Sequence, residues 1–155
     1  MNVCFSILAA SIALSGCAQV GIFQRKDAQG EVRAPIVADT PVPDAGAQSA
    51  EALDTTTPEQ RRAAAAPVAS GARVLGTTVA SLGSPTEPGF WLKTPLVKSE
   101  MAGSVKNRAN GKSASVMLIP IEAEATAGSR MSLPAMRLID ASLTDLTEVE
   151  VSVTP

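Results

Sequence analysis

The sequence predicts a mainly β fold class, a small β-barrel with one short helix formed by residues 71–155. Asn110-Gly111, a dipeptide typical of two-residue hairpin turns, lies between two runs of strand-forming residues. Residues 148–153 alternate between polar residues and valine, which is the period of a half-buried strand. Between these two signals, residues 132–139 form a single short helical pattern.

An export signal precedes this domain. Residues 3–14 form an apolar run, shorter than the roughly 20 residues that cross a membrane, and it leads into Leu14-Ser15-Gly16-Cys17. This stretch resembles the lipobox of bacterial lipoproteins. The resemblance implies that residues 1–16 are a signal peptide, that the chain is cleaved between Gly16 and Cys17, and that the Cys17 thiol carries a diacylglyceryl group. The alternatives for residues 3–14 are a buried helix and a membrane anchor.

A lipid on Cys17 implies that the membrane is the first partner of the mature chain, and that the protein is anchored in the bacterial cell envelope. Some bacteria read an aspartate after the lipidated cysteine as a mark for retention in the inner membrane. Ala18 stands at that position here. We therefore expect the outer membrane, with the protein facing the periplasm.

Residues 17–70 are predicted to form a largely disordered linker. They contain few large apolar side chains, and prolines recur at positions 35, 41, 43, 58 and 67. Such a segment buries too little surface to offset the entropy lost on ordering. One local exception is a short helix that begins after Thr57, with Pro58 in its first turn and Pro67 as its stop.

The barrel domain opens with a predicted strand at 74–82, in which Gly76 marks a bulge. A loop rich in glycine and proline follows, and Phe90 begins a second apolar segment. In the hairpin, a two-residue loop at Asn110-Gly111 pairs Val105 with Val116 and places both on one face.

The remaining elements are a loop, a helix and a strand. Residues 122–128 are predicted to form a loop. Ser132 is the predicted N-cap of the short helix, with Pro134 inside the first turn. The valine-rich segment 148–153 then closes the domain as a strand.

Three segments resemble rare lipoprotein A, a family with a double-psi β-barrel: Asn110-Gly111-Lys112-Ser113, Gly128 to Leu133, and Glu148 to Val153. The resemblance implies a double-psi-like barrel that descends from a glycan-cleaving enzyme. The acidic positions of the family fall at or near Pro120 and at Ser132, and its histidine has no counterpart. The resemblance therefore implies the fold of this family, whereas the missing acidic and histidine residues argue against its lytic activity.

A second resemblance concerns the segments 78–82, 89–94 and 95–97, which are similar to small lipoproteins labelled D-galactarate dehydratase. That label implies dehydration of a sugar acid by a large, metal-dependent enzyme. This chain is much shorter and carries an export signal. The label is therefore a weak guide to the chemistry.

Composition excludes several classes of function. The chain has 155 residues, a net charge of −2 and no histidine. Cys4 leaves with the signal peptide and Cys17 carries lipid, so no thiol remains for a disulfide or a metal. We therefore expect no metal, no cofactor and no nucleic-acid partner, and we assign no catalytic residue.

Two sets of side chains are candidates for chemistry. Glu122 and Glu124 lie roughly 7 Å apart if extended, near the carboxylate separation of inverting glycosidases, although solvated loop carboxylates are far commoner. The candidate binding surface consists of two aromatic residues and three bases, Phe90, Trp91, Lys106, Arg108 and Lys112. For the aromatic pair the alternative is a place in the core, and for the bases it is a solvated face.

Two classes of function compete. One is a non-enzymatic envelope module that binds peptidoglycan or a protein partner. The other is an enzyme, either a degenerate glycan-cleaving barrel or a sugar-acid dehydratase. General acid–base catalysis near neutral pH favours a group such as histidine, and this chain offers only scattered carboxylates. The sequence therefore favours the binding module.

Overall fold

A computed structural model describes residues 40–67 and 71–154 of the chain. The predicted signal peptide 1–16, its cleavage site Gly16-Cys17 and the lipidation site Cys17 lie outside the described residues. Within the described ranges, no helix has the length and apolar character needed to cross a membrane.

Six strands close into a barrel in the order β1-β5-β2-β4-β3-β6. This confirms the predicted fold class, a small mainly β barrel with one short helix. The strands are β1 Arg73–Leu82, β2 Trp91–Thr94, β3 Met101–Asn107, β4 Ser113–Pro120, β5 Ser129–Met131 and β6 Thr147–Val153. The helices are α1 Ala50–Leu53, α2 Pro58–Ala64 and α3 Leu133–Leu138, and only α3 lies within the barrel sequence.

The strand pairing relates the two halves of the barrel. β1 pairs with β5 and β2 with β4 in parallel, whereas the other four pairings are antiparallel. If the labels β1, β2 and β3 are swapped with β4, β5 and β6, the same set of strand pairs results, with the same parallel or antiparallel directions. The barrel therefore consists of two three-strand halves, β1–β3 and β4–β6, that make equivalent pairings.

Alternate side chains of the strands fill the barrel interior, as the pleat of a strand dictates. The fully buried members of the core include Leu92, Val105, Val116, Leu118, Met131, Val149 and Val151. Gly103 permits a close approach between β3, β4 and β6 in this core. A Cβ atom there would lie 2.5 Å from the Leu118 side chain and 2.5 Å from the Ser152 carbonyl oxygen.

The β3–β4 hairpin has the predicted faces but not the predicted register. The predicted two-residue loop at Asn110-Gly111 would pair Val105 with Val116. The structure instead places Val105 opposite Ala114. The register prediction was therefore wrong by two residues. Because side chains alternate with a period of two, the same residues still face inward, and Val105, Ala114 and Val116 are all buried.

The register differs because the loop has four residues, 108–111. The Asn107 carbonyl oxygen accepts from the Gly111 N–H at 2.8 Å, and the Asn107 side-chain oxygen accepts from the Ala109 N–H at 2.9 Å. A type I′ turn needs positive φ at both central residues, but in this loop only Gly111 has it, with φ 74°. Local side-chain hydrogen bonds from Asn107 favour the longer loop.

Residues 40–67, which lie within the predicted linker 17–70, contain the two short helices α1 and α2. α2 begins as predicted at Pro58, with Thr57 and Gln60 forming a reciprocal capping box. The Gln60 amide also donates to the Thr40 hydroxyl at 3.3 Å, and Ala64 is buried in the core cluster. The contact of Ala64 with the core joins this segment to the barrel, and composition does not predict such a contact.

Candidate functional site: a groove beside the hairpin loop

Phe90 and Trp91 do not belong to an exposed binding surface, which corrects the prediction for these two residues. Each side chain is 1% exposed. The Trp91 backbone N–H donates to the Ser132 hydroxyl at 3.1 Å, and the Ser132 N–H donates to the Trp91 carbonyl at 3.0 Å. Large aromatic side chains bury a large apolar area each and therefore contribute strongly to a core. This explains why Phe90 and Trp91 pack inside the protein.

The Trp91 ring lies beneath the loop that connects β1 to β2. A Cβ atom on Gly83 would come within 2.4 Å of the ring, so the loop backbone touches the indole. The Lys93 ammonium lies 4.7 Å from the ring centroid and pairs with Glu87 at 2.7 Å. Trp91 Nε1 is buried without a hydrogen-bond partner in the described part of the chain.

The three basic residues Lys106, Arg108 and Lys112 are exposed, as predicted. They do not form a basic patch, because β3 pairs with the acidic strand β6 in the barrel. Arg108 pairs with Glu148 at 2.7 Å, and Lys106 lies opposite Glu150 in the strand register. Lys112 on the other arm pairs with Asp140. The structure therefore brings the bases together with carboxylates that sequence reasoning did not join to them.

An open groove of about 470 Å³ separates the hairpin loop from the turn between α3 and β6. This volume is within the range of small-molecule sites, about 300–1,000 Å³. Its rim includes Leu146, which is 72% exposed. The groove is lined by Asn107, Arg108, Ala109, Asp140, Ala141, Ser142, Leu146, Thr147 and Glu148.

The wall of this groove is fixed by two asparagines. Asn107 and Asn110 each donate a side-chain N–H to the Ile139 carbonyl oxygen, at 3.1 and 3.0 Å. Asn107 is 3% exposed, so its hydrogen bond to the Ile139 carbonyl is buried. The next residue is Asp140, the one described non-glycine residue with positive φ, at 46°. The hairpin loop thereby fixes the backbone that presents the Asp140 carboxylate.

The predicted carboxylate pair lies elsewhere. Glu122 and Glu124 are exposed on the loop between β4 and β5, and neither lines the groove. Among residues 40–67 and 71–154, no three His, Cys, Asp or Glu side chains are close enough together to hold a metal ion. At the two positions where the family resemblance places acids, Pro120 ends β4 and Ser132 is fully buried.

A second cavity, of about 560 Å³, lies where α1 and α2 meet α3. Asp54 at this junction has a side chain that is 2% exposed, and Arg137 pairs with it at 2.8 Å. Sequence reasoning missed this pair. No local pattern signals it, because the two residues lie 83 positions apart.

Comparisons with protein-family models, with curated proteins and with solved structures find no match for this chain. The resemblance to rare lipoprotein A therefore stays a prediction.

Proposed function

We propose that this chain is a lipid-anchored protein of the bacterial envelope, and that its barrel is a non-enzymatic module that binds peptidoglycan. The observation that carries the proposal is the groove beside the hairpin loop. It presents a base and carboxylates of opposite charge, Arg108, Asp140 and Glu148, together with the apolar side chain of Leu146.

The chemistry of this groove suits a zwitterionic polymer better than an anionic or a neutral one. The peptides of peptidoglycan carry carboxylates, amides and amino groups on short side chains. Arg108 and Glu148 are each 54% exposed, and exposed pairs of this kind contribute only about 0–1 kcal/mol. A ligand that supplies both charges therefore replaces the internal pair at little cost.

The test is co-sedimentation of the full chain, purified in detergent, with purified sacculi. We expect the chain to sediment with the sacculi and to release no soluble muropeptides. Arg108→Glu should weaken sedimentation. Arg130→Glu makes the same change of charge at an exposed position on β5 outside the groove, and should leave it unchanged.

Three outcomes contradict the proposal. A chain that stays in the supernatant does not bind peptidoglycan, and a protein partner becomes the better hypothesis. Release of muropeptides would show that the module is an enzyme. Equal effects of Arg108→Glu and Arg130→Glu would place the binding surface outside the groove.

A further inference from the structure

We propose that Asp140 is the contact for an ammonium group of the ligand, and that the ligand is a peptide with a free amine rather than the glycan strand. This inference rests on the function proposed above and names the part of peptidoglycan that the groove recognises. It starts from the left-handed backbone conformation at position 140, which most residues with a side chain avoid.

Asp140 occupies a position that favours glycine. It follows the C-terminus of α3, where its N–H donates to the Arg137 carbonyl at 3.2 Å and the Ala141 N–H donates to the Met136 carbonyl at 2.9 Å. These two bonds define a Schellman motif, whose left-handed residue is usually glycine because a Cβ atom is unfavourable there. With φ 46°, Asp140 adopts that conformation despite its side chain.

The contacts of Asp140 within the chain offer little compensation for this conformation. Its carboxylate pairs with Lys112, but the two side chains are 60% and 53% exposed, and such surface pairs are weak. The backbone before Asp140 is nevertheless held firmly by Asn107 and Asn110, which both donate to the Ile139 carbonyl. An unfavourable conformation that its surroundings hold in place is a feature of functional positions.

The groove supplies the remaining contacts for such a ligand. Asp140 and Arg108 both line it, so a ligand ammonium placed at Asp140 leaves Arg108 available to a ligand carboxylate. Leu146 adds an exposed apolar surface on the rim. Amines and carboxylates occur together on the peptides of the cell wall, and a glycan strand lacks the ammonium group.

The test uses the full chain in detergent and two preparations of sacculi, one native and one with its peptide amines acetylated. Asp140→Gly places the preferred residue at this φ and removes the carboxylate. It should therefore raise the melting temperature yet bind native sacculi about tenfold more weakly, the loss of one charge-assisted contact. Wild type should lose a similar factor on acetylated sacculi, and Asp140→Gly should not distinguish the two preparations.

Two further variants separate a contact from a structural role. Asp140→Asn keeps a residue that tolerates this conformation and removes only the charge, so it should lose binding as Asp140→Gly does. Asp145→Asn makes the same change in the same turn outside the groove lining and should bind as wild type. The inference is overturned if Asp140→Gly binds native sacculi as strongly as wild type, or if wild type binds acetylated sacculi as strongly as native ones. Either result leaves the proposed binding of peptidoglycan standing. Absence of wild-type binding to native sacculi overturns the proposed function itself.

Discussion

Arg137 on α3 donates to the carboxylate of Asp54 at 2.8 Å. This hydrogen bond links residues 40–67, which precede the barrel, to helix α3. The Asp54 side chain is 2% exposed. It also accepts from the Thr56 N–H at 3.2 Å, and Arg61 lies 3.9 Å away. A buried carboxylate needs such partners because desolvation of an unpaired charge is costly. These contacts join the segment that contains Asp54 to helix α3.

Arg137→Ala should lower the free energy of unfolding by about 2–3 kcal/mol. Removing one partner of a buried pair costs about 3–5 kcal/mol, and the expected value is lower because the Arg137 side chain is 34% exposed and Arg61 remains nearby. Urea unfolding measures the change. Arg62→Ala is the matched control, since Arg62 and its partner Glu59 are 77% and 74% exposed. Equal losses in both variants would contradict the role of Arg137.

Gly103→Ala should destabilise the barrel by about 1–3 kcal/mol, the usual effect of overpacking a core. The new Cβ atom would lie 2.5 Å from the Leu118 side chain and from the Ser152 carbonyl oxygen. Gly46→Ala is the control, because nothing lies within 4 Å of a Cβ atom there. The Ser152 carbonyl oxygen belongs to the backbone of β6, so the strand itself would have to shift. Equal stability of Gly103→Ala and Gly46→Ala would contradict the close approach at position 103.

Trp91 is the only tryptophan of the chain and reports directly on the loop that covers it. Wild-type emission should be blue-shifted and poorly quenched by acrylamide, because the side chain is 1% exposed. Gly83→Ala should shift the emission to the red and increase quenching, since its Cβ atom would lie 2.4 Å from the ring. Gly46→Ala should leave the spectrum unchanged. A red-shifted wild type would contradict the burial of Trp91.

The hairpin shows which part of this fold the sequence can predict. Apolar alternation predicts the inward face of β3 and β4 correctly even though the predicted register is wrong by two residues, because a shift of two preserves the face. The same alternation predicts β6, where Val149 and Val151 are buried. Periodicity describes each strand by itself, and it therefore leaves open which strands pair.

The groove depends on those pairings. Arg108 meets Glu148 because β3 lies beside β6, and Asp140 meets the hairpin because Asn107 and Asn110 hold the end of α3. Such contacts join residues separated by about 30–40 positions. The sequence identifies Arg108 as a candidate base, but it does not predict that Glu148 and Asp140 lie beside it in one groove.

The proposed lipid anchor on Cys17 can be tested directly by substitution. Cys17→Ser should accumulate unprocessed precursor, fail to incorporate labelled palmitate and leave no mature lipoprotein in the outer membrane, because the thiol is the proposed site of attachment. Cys4→Ser, the same substitution within the predicted signal peptide, should be processed and labelled as wild type. Two or more acyl chains anchor a protein stably, whereas one holds it only marginally. Cleavage after Gly16 and membrane sedimentation of Cys17→Ser would rule out lipid anchoring at this cysteine.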